Sequence, residues 1–352
     1  MAESVAASGD SVRPGGHDPS QAPLVSVIIP SYNTGRYVRH AIDSVVATRY
    51  PQLQIVIVDD ASSDDSVAVI EEAQRAYPGV AVDLHFHPGR RNRGIARTRN
   101  LAIRNARGKY VCFLDADDEF YPNRFDFSLP LLASRPEIEA VVEPFDWVYA
   151  SGQRGQEMAG KPRQMCSVPA WVLRPEGPSP GELFEGLLKD EFMPHTTSIT
   201  VRRSALDETG LFPPLRYCLE KPLWFKIFAR ERVACQGRVS VAGYLLHENS
   251  TCARRENTAA FRFDVVRSLM AAYPWLRRHS PRPGYTEMVK DAAAGKFYHY
   301  SSYVLSLQHR FVPDVLLAWA RFGLVFPGQM LTQRFWRAIL HLVRRRLFPQ
   351  AG

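Results

Sequence analysis

The feature that most constrains the fold is an alternation of short apolar runs with amphipathic helices in the first third of the chain. The runs 24–29 and 53–58 are almost entirely apolar, as in strands that are buried on both faces of a sheet. A third run, 80–86, alternates, and a fourth, 110–114, follows a helical stretch at 94–108. Strands and helices at this spacing predict an α/β fold with a mainly parallel, doubly wound sheet.

Acidic residues follow two of the predicted strands directly. Asp59 and Asp60 come after the second run, and Asp115, Asp117 and Asp118 come after the fourth. Because ligands of such sheets bind beyond the carboxyl ends of the strands, we expect these carboxylates to converge on one crevice. Strand alternation predicts that Asp115 and Asp117 point to the same side. The group suits a hard divalent cation shared with substrate phosphates, although a loop of solvated, helix-capping acids is the alternative.

Charge and cysteine content narrow the class of protein. The 44 basic and 36 acidic side chains give a net charge of +8, which favours anionic partners such as phosphates, nucleic acid or a membrane surface. The acids within 115–119 would repel a polyanion, so we expect no nucleic-acid partner. Five cysteines without CxxC spacing argue against a disulfide scaffold and a structural zinc site, and favour a cytoplasmic protein. The sequence contains no run of about 18 apolar residues, so it predicts no membrane span.

Four ordered motifs resemble those of the inverting family 2 glycosyltransferases, which have the GT-A fold. The motifs read VSVIIPSYN at 25–33, IVDDASSD at 57–64, NRGIARTRN at 92–100 and DADD at 115–118. The resemblance covers about residues 24–250. It implies transfer of a sugar from a nucleotide-sugar, most of all a UDP-sugar, to an acceptor hydroxyl with inversion. It further implies polysaccharide or cell-surface glycan synthesis, with a glycan or lipid-linked acceptor.

The resemblance also implies roles for individual residues. Asp117 would be the ligand of Mg²⁺ or Mn²⁺, joined by His247 in a stretch similar to the His-x-x-Ser that follows the family's last strand. Structural alternatives are a turn or cap acid for Asp60, a packed aromatic for Tyr32 and a simply hydrogen-bonded imidazole for His247. The residues implied to contact the nucleotide-sugar are Pro30, Tyr32, Asn33, Asp60, Arg99 and Asp115.

The proposed catalytic base departs from the family's pattern. Members usually carry a Glu-Asp pair before a helix rich in Leu and Trp, whereas residues 217–226 read YCLEKPLWFK. If the aromatic and basic residues of this helix are aligned with those of the family, Glu220 takes the position of the catalytic base and Leu219 that of its acidic neighbour. If the alignment is shifted by one residue, Lys221 takes the position of the base. We take Glu220, because a carboxylate can remove the acceptor proton. As a structural alternative, Glu220 is a first-turn helix acid.

Two other functional classes remain as alternatives. The missing Glu-Asp pair is compatible with a catalytically degenerate nucleotide-sugar-binding or scaffold protein. A nucleotidyltransferase on a related sheet is disfavoured, because no Gly-rich loop with a Lys follows the first strand.

The sequence predicts three parts. Composition and periodicity predict a polar, disordered tail at 1–23 and a helical region at 256–352, and the resemblance implies a GT-A glycosyltransferase domain at 24–255. Later strands are predicted at 198–202 and 239–246, and we expect both to extend the same sheet.

The end of the helical region mixes apolar and basic residues. Residues 331–347 predict a helix that suits peripheral contact with an anionic bilayer, at the inner face of the cell membrane. The alternative is that this helix packs back on the catalytic domain with its arginines in solvent.

Overall fold

A computed structural model describes residues 21–149, 163–165, 171–172, 178–236, 239–247, 259–306, 313–330, 332 and 336. Its strands are β1 (Val25–Ser31), β2 (Leu53–Asp59), β3 (Ala81–Phe86), β4 (Tyr110–Phe113), β5 (Glu119–Phe120), β6 (Ala140–Val142), β7 (Asp146–Tyr149), β8 (Arg163–Met165), β9 (Ile199–Arg202), β10 (Val233–Cys235) and β11 (Ala242–Leu246). Its helices are α1 (Gly35–Ala47), α2 (Ser66–Ala76), α3 (Ile95–Asn105), α4 (Ser128–Ser134), α5 (Pro180–Leu188), α6 (Arg203–Thr209), α7 (Lys221–Ala229), α8 (Ala259–His279), α9 (Pro283–Ser306), α10 (Pro313–Val325) and α11 (Pro327–Met330).

The central sheet has the strand order β10-β6-β9-β4-β1-β2-β3. β1 pairs in parallel with β2 and β4, and β2 pairs in parallel with β3. β9 lies antiparallel between β4 and β6. The carboxyl ends of β1, β2 and β4 therefore meet at one edge, and the prediction of a mainly parallel α/β sheet is confirmed.

The sheet is covered on both faces because alternate residues of its strands point to opposite sides. On one face, Val27 and Ile29 of β1 belong to a core that includes Val38 and Ile42 of α1. On the other face, Ile28 belongs to a core formed with α3, α5, α7 and the C-terminal helices. The chain is thus doubly wound, as the continuous apolar runs predicted.

A smaller sheet with the order β5-β11-β7-β8 lies beside the central one. The prediction that 239–246 extends the central sheet was wrong, because β11 pairs in parallel with β7 and antiparallel with β5. A short apolar run looks the same in either sheet, and close packing decides the partner. A Cβ at Gly243 of β11 would lie only 2.8 Å from Glu119 Oε1 and 2.9 Å from Val148 Cγ2.

The C-terminal helices pack on α7, so the predicted helical region is confirmed. Phe297 of α9 stacks on Phe322 of α10 with ring centroids 4.3 Å apart. Asp264 of α8 accepts hydrogen bonds from the backbone amides of Arg216 and Tyr217, which lead into α7. In the described part of the chain, no helix is both long and apolar enough to cross a bilayer.

Some predictions fall largely outside the described residues. The tail is described only from residue 21, and the predicted helix at 331–347 only at 332 and 336. The bilayer contact proposed for that helix therefore stays a prediction, as do the domain boundaries.

Candidate active site

The first part of the site is the loop that follows β1. Asn33 has a positive φ of 53°, and its Oδ1 accepts a hydrogen bond from the Ser63 amide at 2.8 Å. The Asn33 amide donates to Ser62 Oγ at 2.9 Å. These bonds tie the loops after β1 and β2 together. They leave the Tyr32 side chain 52% exposed at the sheet edge, with Pro30 half-buried beside it in β1.

Asp60 organises the start of α3. Its Oδ1 accepts from the Arg93 amide at 2.6 Å and its Oδ2 from the Gly94 amide at 2.8 Å. Gly94, at φ 81°, makes the turn before the helix begins at Ile95. The hydrogen bonds of Asp60 are those of a turn-holding acid. His87 Nε2 also lies 3.5 Å from Asp60 Oδ1, and the side chain of Asp60 is only 4% exposed.

Arg99 joins two carboxylates from distant parts of the chain. Its side chain is 1% exposed; Nη2 contacts Asp115 Oδ1 at 2.5 Å and Nη1 contacts Glu220 Oε1 at 2.8 Å. Burial alone would lower the pKa of Arg99, but Asp115 and Glu220 outweigh it and raise that pKa above its ordinary value. The guanidinium therefore stays charged and holds both acids at the crevice.

The helix α3 explains why this arginine is buried. Ala96, Arg99, Ala102 and Ile103 have the i, i+3, i+4 spacing of one helix face, and all four are buried against the sheet. Arg97, two positions earlier on the same helix, is exposed.

Glu220 lies at the N-cap position of α7, but its side chain makes no capping hydrogen bond. Pro222 stands in the first turn, where its missing amide hydrogen costs nothing, so the helix begins here. The carboxylate instead faces Arg99 with 22% of the side chain exposed. The structural alternative of a helix-terminus acid therefore does not describe what this side chain contacts.

The acidic residues in the turn after β4 differ in how deeply they are buried. Asp115 and Asp117 are partly exposed, as strand alternation predicted, whereas Asp118 is 1% exposed. Asp118 Oδ1 accepts the Leu245 amide of β11 at 3.0 Å, which fastens the turn to the smaller sheet. Burial, together with the charges of Asp117 and Asp115, raises the pKa of Asp118 well above its usual range.

Asp117 and His247 form a pair at the mouth of the crevice. His247 Nε2 lies 3.0 Å from Asp117 Oδ2, and the Tyr37 ring stacks on the imidazole with centroids 5.1 Å apart. The side chains of Asp117 and His247 are 27% and 10% exposed. The two groups that the sequence analysis assigned to a metal are therefore adjacent, although they are 130 positions apart.

The donor set of this pair fits a divalent cation. Carboxylate oxygen suits Mg²⁺ and Mn²⁺, and imidazole nitrogen is a ligand of first-row transition metals. Among the described residues, no group of three or more His, Cys, Asp or Glu side chains is arranged to hold a metal ion. The described residues thus offer the pair Asp117 and His247, and phosphate oxygens and water would supply further ligands, as is common for Mg²⁺ sites.

His195 is a residue of the crevice to which the sequence analysis assigned no role. Its ring lies 4.7 Å from the Phe145 ring and 4.5 Å from the Tyr244 ring, between centroids. Burial lowers its pKa to about 4, against the opposing influence of Asp115 and Glu220. Since a single histidine has no spacing pattern, nothing in the sequence singled it out.

The hydrogen bonds of His195 define its tautomer. The Thr197 amide donates to Nδ1 at 3.4 Å, and Thr197 Oγ1 lies 2.6 Å from the same nitrogen. Nδ1 is therefore an acceptor, and the proton of the neutral ring is on Nε2. Within the described residues no hydrogen bond engages Nε2, so its N–H is available to a bound molecule.

The sequence-predicted residues thus lie along one edge of the central sheet. The Asp60 amide donates to the Ser31 carbonyl, and the Leu114 amide donates to the Ile28 carbonyl, which aligns the ends of β1, β2 and β4. Glu220 and His247 reach the edge from α7 and from the end of β11. The chemical roles of all these residues stay predictions.

A family model describes this part of the chain. Residues 26–142 match the model of glycosyl transferase family 2. These residues form a family 2 glycosyltransferase domain. The match contains the acidic turn and Arg99 but ends before Glu220 and His247, so the family 2 domain relies on later elements to complete its crevice.

Two relatives illustrate how far the similarity extends. An uncharacterised glycosyltransferase of Rickettsia prowazekii is 26% identical over 254 residues, which are 72% of each chain. The putative teichuronic acid biosynthesis glycosyltransferase TuaG of Bacillus subtilis is 34% identical over 113 residues, which are 32% of this chain and 43% of TuaG. The similarity to TuaG is thus confined to less than half of its length.

A solved structure resembles nearly the whole chain. TarS 1–349 of S. aureus, in complex with UDP, matches with a TM-score of 0.62 at 15% identity, over 92% of this chain and 89% of that one. At this identity the likeness concerns the fold, and it shows that the family 2 domain with its C-terminal helices has the GT-A type of architecture.

Proposed function

We propose that this protein is an inverting, metal-dependent glycosyltransferase that transfers a sugar from a UDP-sugar to an acceptor hydroxyl. The family 2 domain and the relative named for teichuronic acid biosynthesis support a role in polysaccharide or cell-surface glycan synthesis. The acceptor would be a glycan or a lipid-linked saccharide, bound by a catalytic domain over residues 24–255.

The observation that carries the proposal is the placement of Glu220. Arg99 contacts Asp115 at 2.5 Å and Glu220 at 2.8 Å, so one rigid guanidinium fixes the distance between the acidic turn and the proposed base. A base must stand next to the bound donor to receive a proton during attack. The position of Glu220 beside the acidic turn supports this role, although Leu219 replaces the acidic neighbour of the family's Glu-Asp pair.

The donor's nucleotide would occupy the loops after β1 and β2. The exposed ring of Tyr32 offers a face for the base, and Asn33 and Asp60 shape the loops on either side. Asp115, partly exposed beside Arg99, would accept hydrogen bonds from the ribose. The fold likeness to TarS, which was solved with UDP, supports uracil as the base.

Asp117 and His247 would hold the divalent cation next to the diphosphate. When bound, Mg²⁺ or Mn²⁺ would neutralise charge on the leaving diphosphate. Arg99 donates to Asp115 and Glu220, and the contact with the nucleotide-sugar that the resemblance implies for Arg99 stays a prediction.

Glu220 would remove the proton from the acceptor hydroxyl as its oxygen attacks the anomeric carbon. The bond from that carbon to the diphosphate breaks in the same step, and attack from the opposite face inverts the configuration. The Nε2–H of neutral His195 would donate to a hydroxyl of the transferred sugar and help to orient it.

A donor-hydrolysis screen across nucleotide-sugars, with and without Mn²⁺ or Mg²⁺, tests the proposal. We expect hydrolysis of a UDP-sugar that requires metal. Binding of a nucleotide-sugar without turnover of any donor, with or without acceptor, would instead identify the degenerate, scaffold-type protein that the missing Glu-Asp pair allows.

A further inference from the structure

A cavity of about 300 Å³ lies between α8 and α9, outside the crevice described above. Its volume is at the small end of ligand sites and is sufficient for one saccharide unit. The residues that line it combine aromatic rings with cationic groups: Phe261, Arg262, Val265, Lys296, His299 and Tyr300.

The cavity is at the same end of α7 as Glu220. Tyr285, near the start of α9, donates to Glu231 beyond the C-terminal end of α7 at 2.7 Å. Further along α9, Lys296 contacts Asp190 at 2.5 Å, and Asp190 also binds Lys221 at the N-terminal end of α7. α9 therefore runs antiparallel to α7, and the cavity, which Lys296 lines, lies near the N-terminal end of α7, where Glu220 is.

A second contact ties the cavity to the segment of the proposed base. The ring of Phe261, in the cavity wall, lies 5.9 Å from the ring of Tyr217, three residues before Glu220. Occupancy of the cavity would thus place a ligand against the segment that carries the base.

Among the described residues around the cavity, positively charged side chains outnumber the carboxylates. Lys221 and Lys296 share the single carboxylate of Asp190; burial opposes its ionisation, but the two ammonium groups lower the pKa of Asp190. Arg262 adds a further cation, which lies 4.4 Å from the centroid of the Tyr303 ring.

The nearest acid on α8 does not offset this surplus. Asp264 is 4% exposed and is engaged by Arg267 at 2.8 Å and by the backbone amides that lead into α7. A ligand with an acidic group is therefore favoured in this cavity over a neutral one.

We propose that this cavity is an acceptor subsite that binds an acidic unit of the acceptor glycan, a sugar that carries a carboxylate or a phosphate. The aromatic walls at Phe261 and Tyr300 contact the sugar ring, and Arg262 and Lys296 attract the acidic group. The inference rests on the proposed function, since it assigns the other substrate of the same reaction.

The test measures binding to the full-length chain by calorimetry. The probes are a glucuronate-containing tetrasaccharide, a phosphate-bearing oligosaccharide and a neutral oligosaccharide of the same length. We expect at least one acidic probe to bind about tenfold more tightly than the neutral one. Comparing the two acidic probes shows whether carboxylate or phosphate is preferred.

Two variants test whether the acidic probe binds in this cavity. Arg262→Gln should weaken the acidic probe about tenfold and leave the neutral probe unchanged. Lys189→Gln is the matched control, because it removes one positive charge from an exposed site, 55% accessible, on the surface after α5. Urea unfolding of Arg262→Gln should match that of the wild type, which shows that the variant is folded.

Two results would overturn the inference: equal affinity for acidic and neutral probes, or an acidic preference that survives Arg262→Gln. A donor-hydrolysis assay distinguishes failure of this inference from failure of the proposed function. A chain that hydrolyses a UDP-sugar without an acidic preference refutes only the subsite. A chain that hydrolyses no donor refutes the activity itself.

Discussion

Arg99 donates from Nη1 to Glu220 Oε1 at 2.8 Å although the two residues are 121 positions apart in the chain. The same guanidinium reaches Asp115 through Nη2. A buried arginine that bridges two acids is held rigidly, because its planar fork matches the carboxylate geometry. The proposed base and the donor-binding acid therefore form one unit, and its members should be sensitive to small changes.

Glu220→Gln should abolish proton removal and leave the shape of the crevice intact. We expect kcat to fall about 10²- to 10⁴-fold with little change in donor affinity, since general base catalysis contributes about that factor. Transfer rates and donor binding by calorimetry measure the two effects. Glu185→Gln, at an exposed site on α5, is the control and should behave as wild type. Full activity of Glu220→Gln would remove Glu220 as the base.

Arg99→Lys should impair the reaction although it retains the charge. A single ammonium nitrogen cannot occupy the positions of both Nη1 and Nη2, so either Asp115 or Glu220 loses its partner. We expect kcat to fall roughly tenfold or more, since a hydrogen bond to a charged group is worth about 1.5–3 kcal/mol. Arg97→Lys, which changes an exposed arginine on the same helix, should leave kcat unaltered.

Asp117→Asn and His247→Gln should weaken metal binding and spare the fold. Loss of a ligand at a site with two protein ligands should raise the Mn²⁺ concentration for half-maximal activity by about tenfold or more. Titration of Mn²⁺ by electron paramagnetic resonance in the presence of UDP measures the affinity directly. His40→Gln removes an imidazole that pairs with Glu119 at 3.0 Å and serves as the control. Unchanged Mn²⁺ affinity in both crevice variants would exclude this pair as ligands.

His195→Phe should reduce activity by about two- to tenfold, the usual value of one neutral hydrogen bond. Because burial lowers the pKa of His195 to about 4, the ring is neutral above about pH 5, and the variant should keep the wild-type pH profile between pH 5 and 8. Steady-state rates measured across this pH range check both points. If the wild-type pH–rate profile had a limb that is absent from the profile of the variant, His195 would titrate in this range.

The same pKa shift predicts a dependence of stability on pH. The unfolded chain binds a proton at His195 below its ordinary pKa of 6.5, whereas the folded chain binds it only near pH 4. The contribution of His195 to stability is therefore complete above pH 6.5 and is lost as the pH falls toward 4. Urea unfolding of wild type and His195→Phe across this range should show a steeper decline for the wild type.

Arg124→Met should destabilise the fold by roughly 3–5 kcal/mol, because it leaves Glu143 buried without its partner. Both side chains are 0% exposed, and Arg124 Nη1 contacts Glu143 Oε2 at 2.9 Å. Urea unfolding measures the loss. The double variant Arg124→Met, Glu143→Leu should recover part of it, and a double variant no more stable than the single one would contradict this explanation.

The central sheet was predictable because its signals are local. Buried parallel strands require continuous apolar runs, and the acids at 59–60 and 115–118 had to meet once those strands were parallel. The sheet membership of β11 was not predictable in this way. It depends on close packing at Gly243, where a β-carbon would collide with Glu119 and Val148, and those contacts join parts of the chain far apart in sequence.

The candidate site was predictable only where a motif marks it. Asp115, Asp117 and His247 were assigned from the resemblance, and the structure places them at the crevice. Arginine on a helix usually faces solvent, so nothing in the sequence showed that Arg99 is buried between two carboxylates. His195 has no pattern at all, and only its aromatic neighbours and the Thr197 hydrogen bonds reveal its orientation.

The bond from the Leu245 amide to Asp118 has a consequence for biogenesis, since the two residues are 127 positions apart. A nascent chain that has emerged only through β4 carries the acidic turn without the amide that receives Asp118 and without the imidazole beside Asp117. In such an intermediate, the neighbouring carboxylates of the acidic turn lack the Leu245 amide and the His247 imidazole that contact them in the folded protein. The proposed nucleotide-sugar site is therefore complete only after the last described strand of the smaller sheet has left the ribosome.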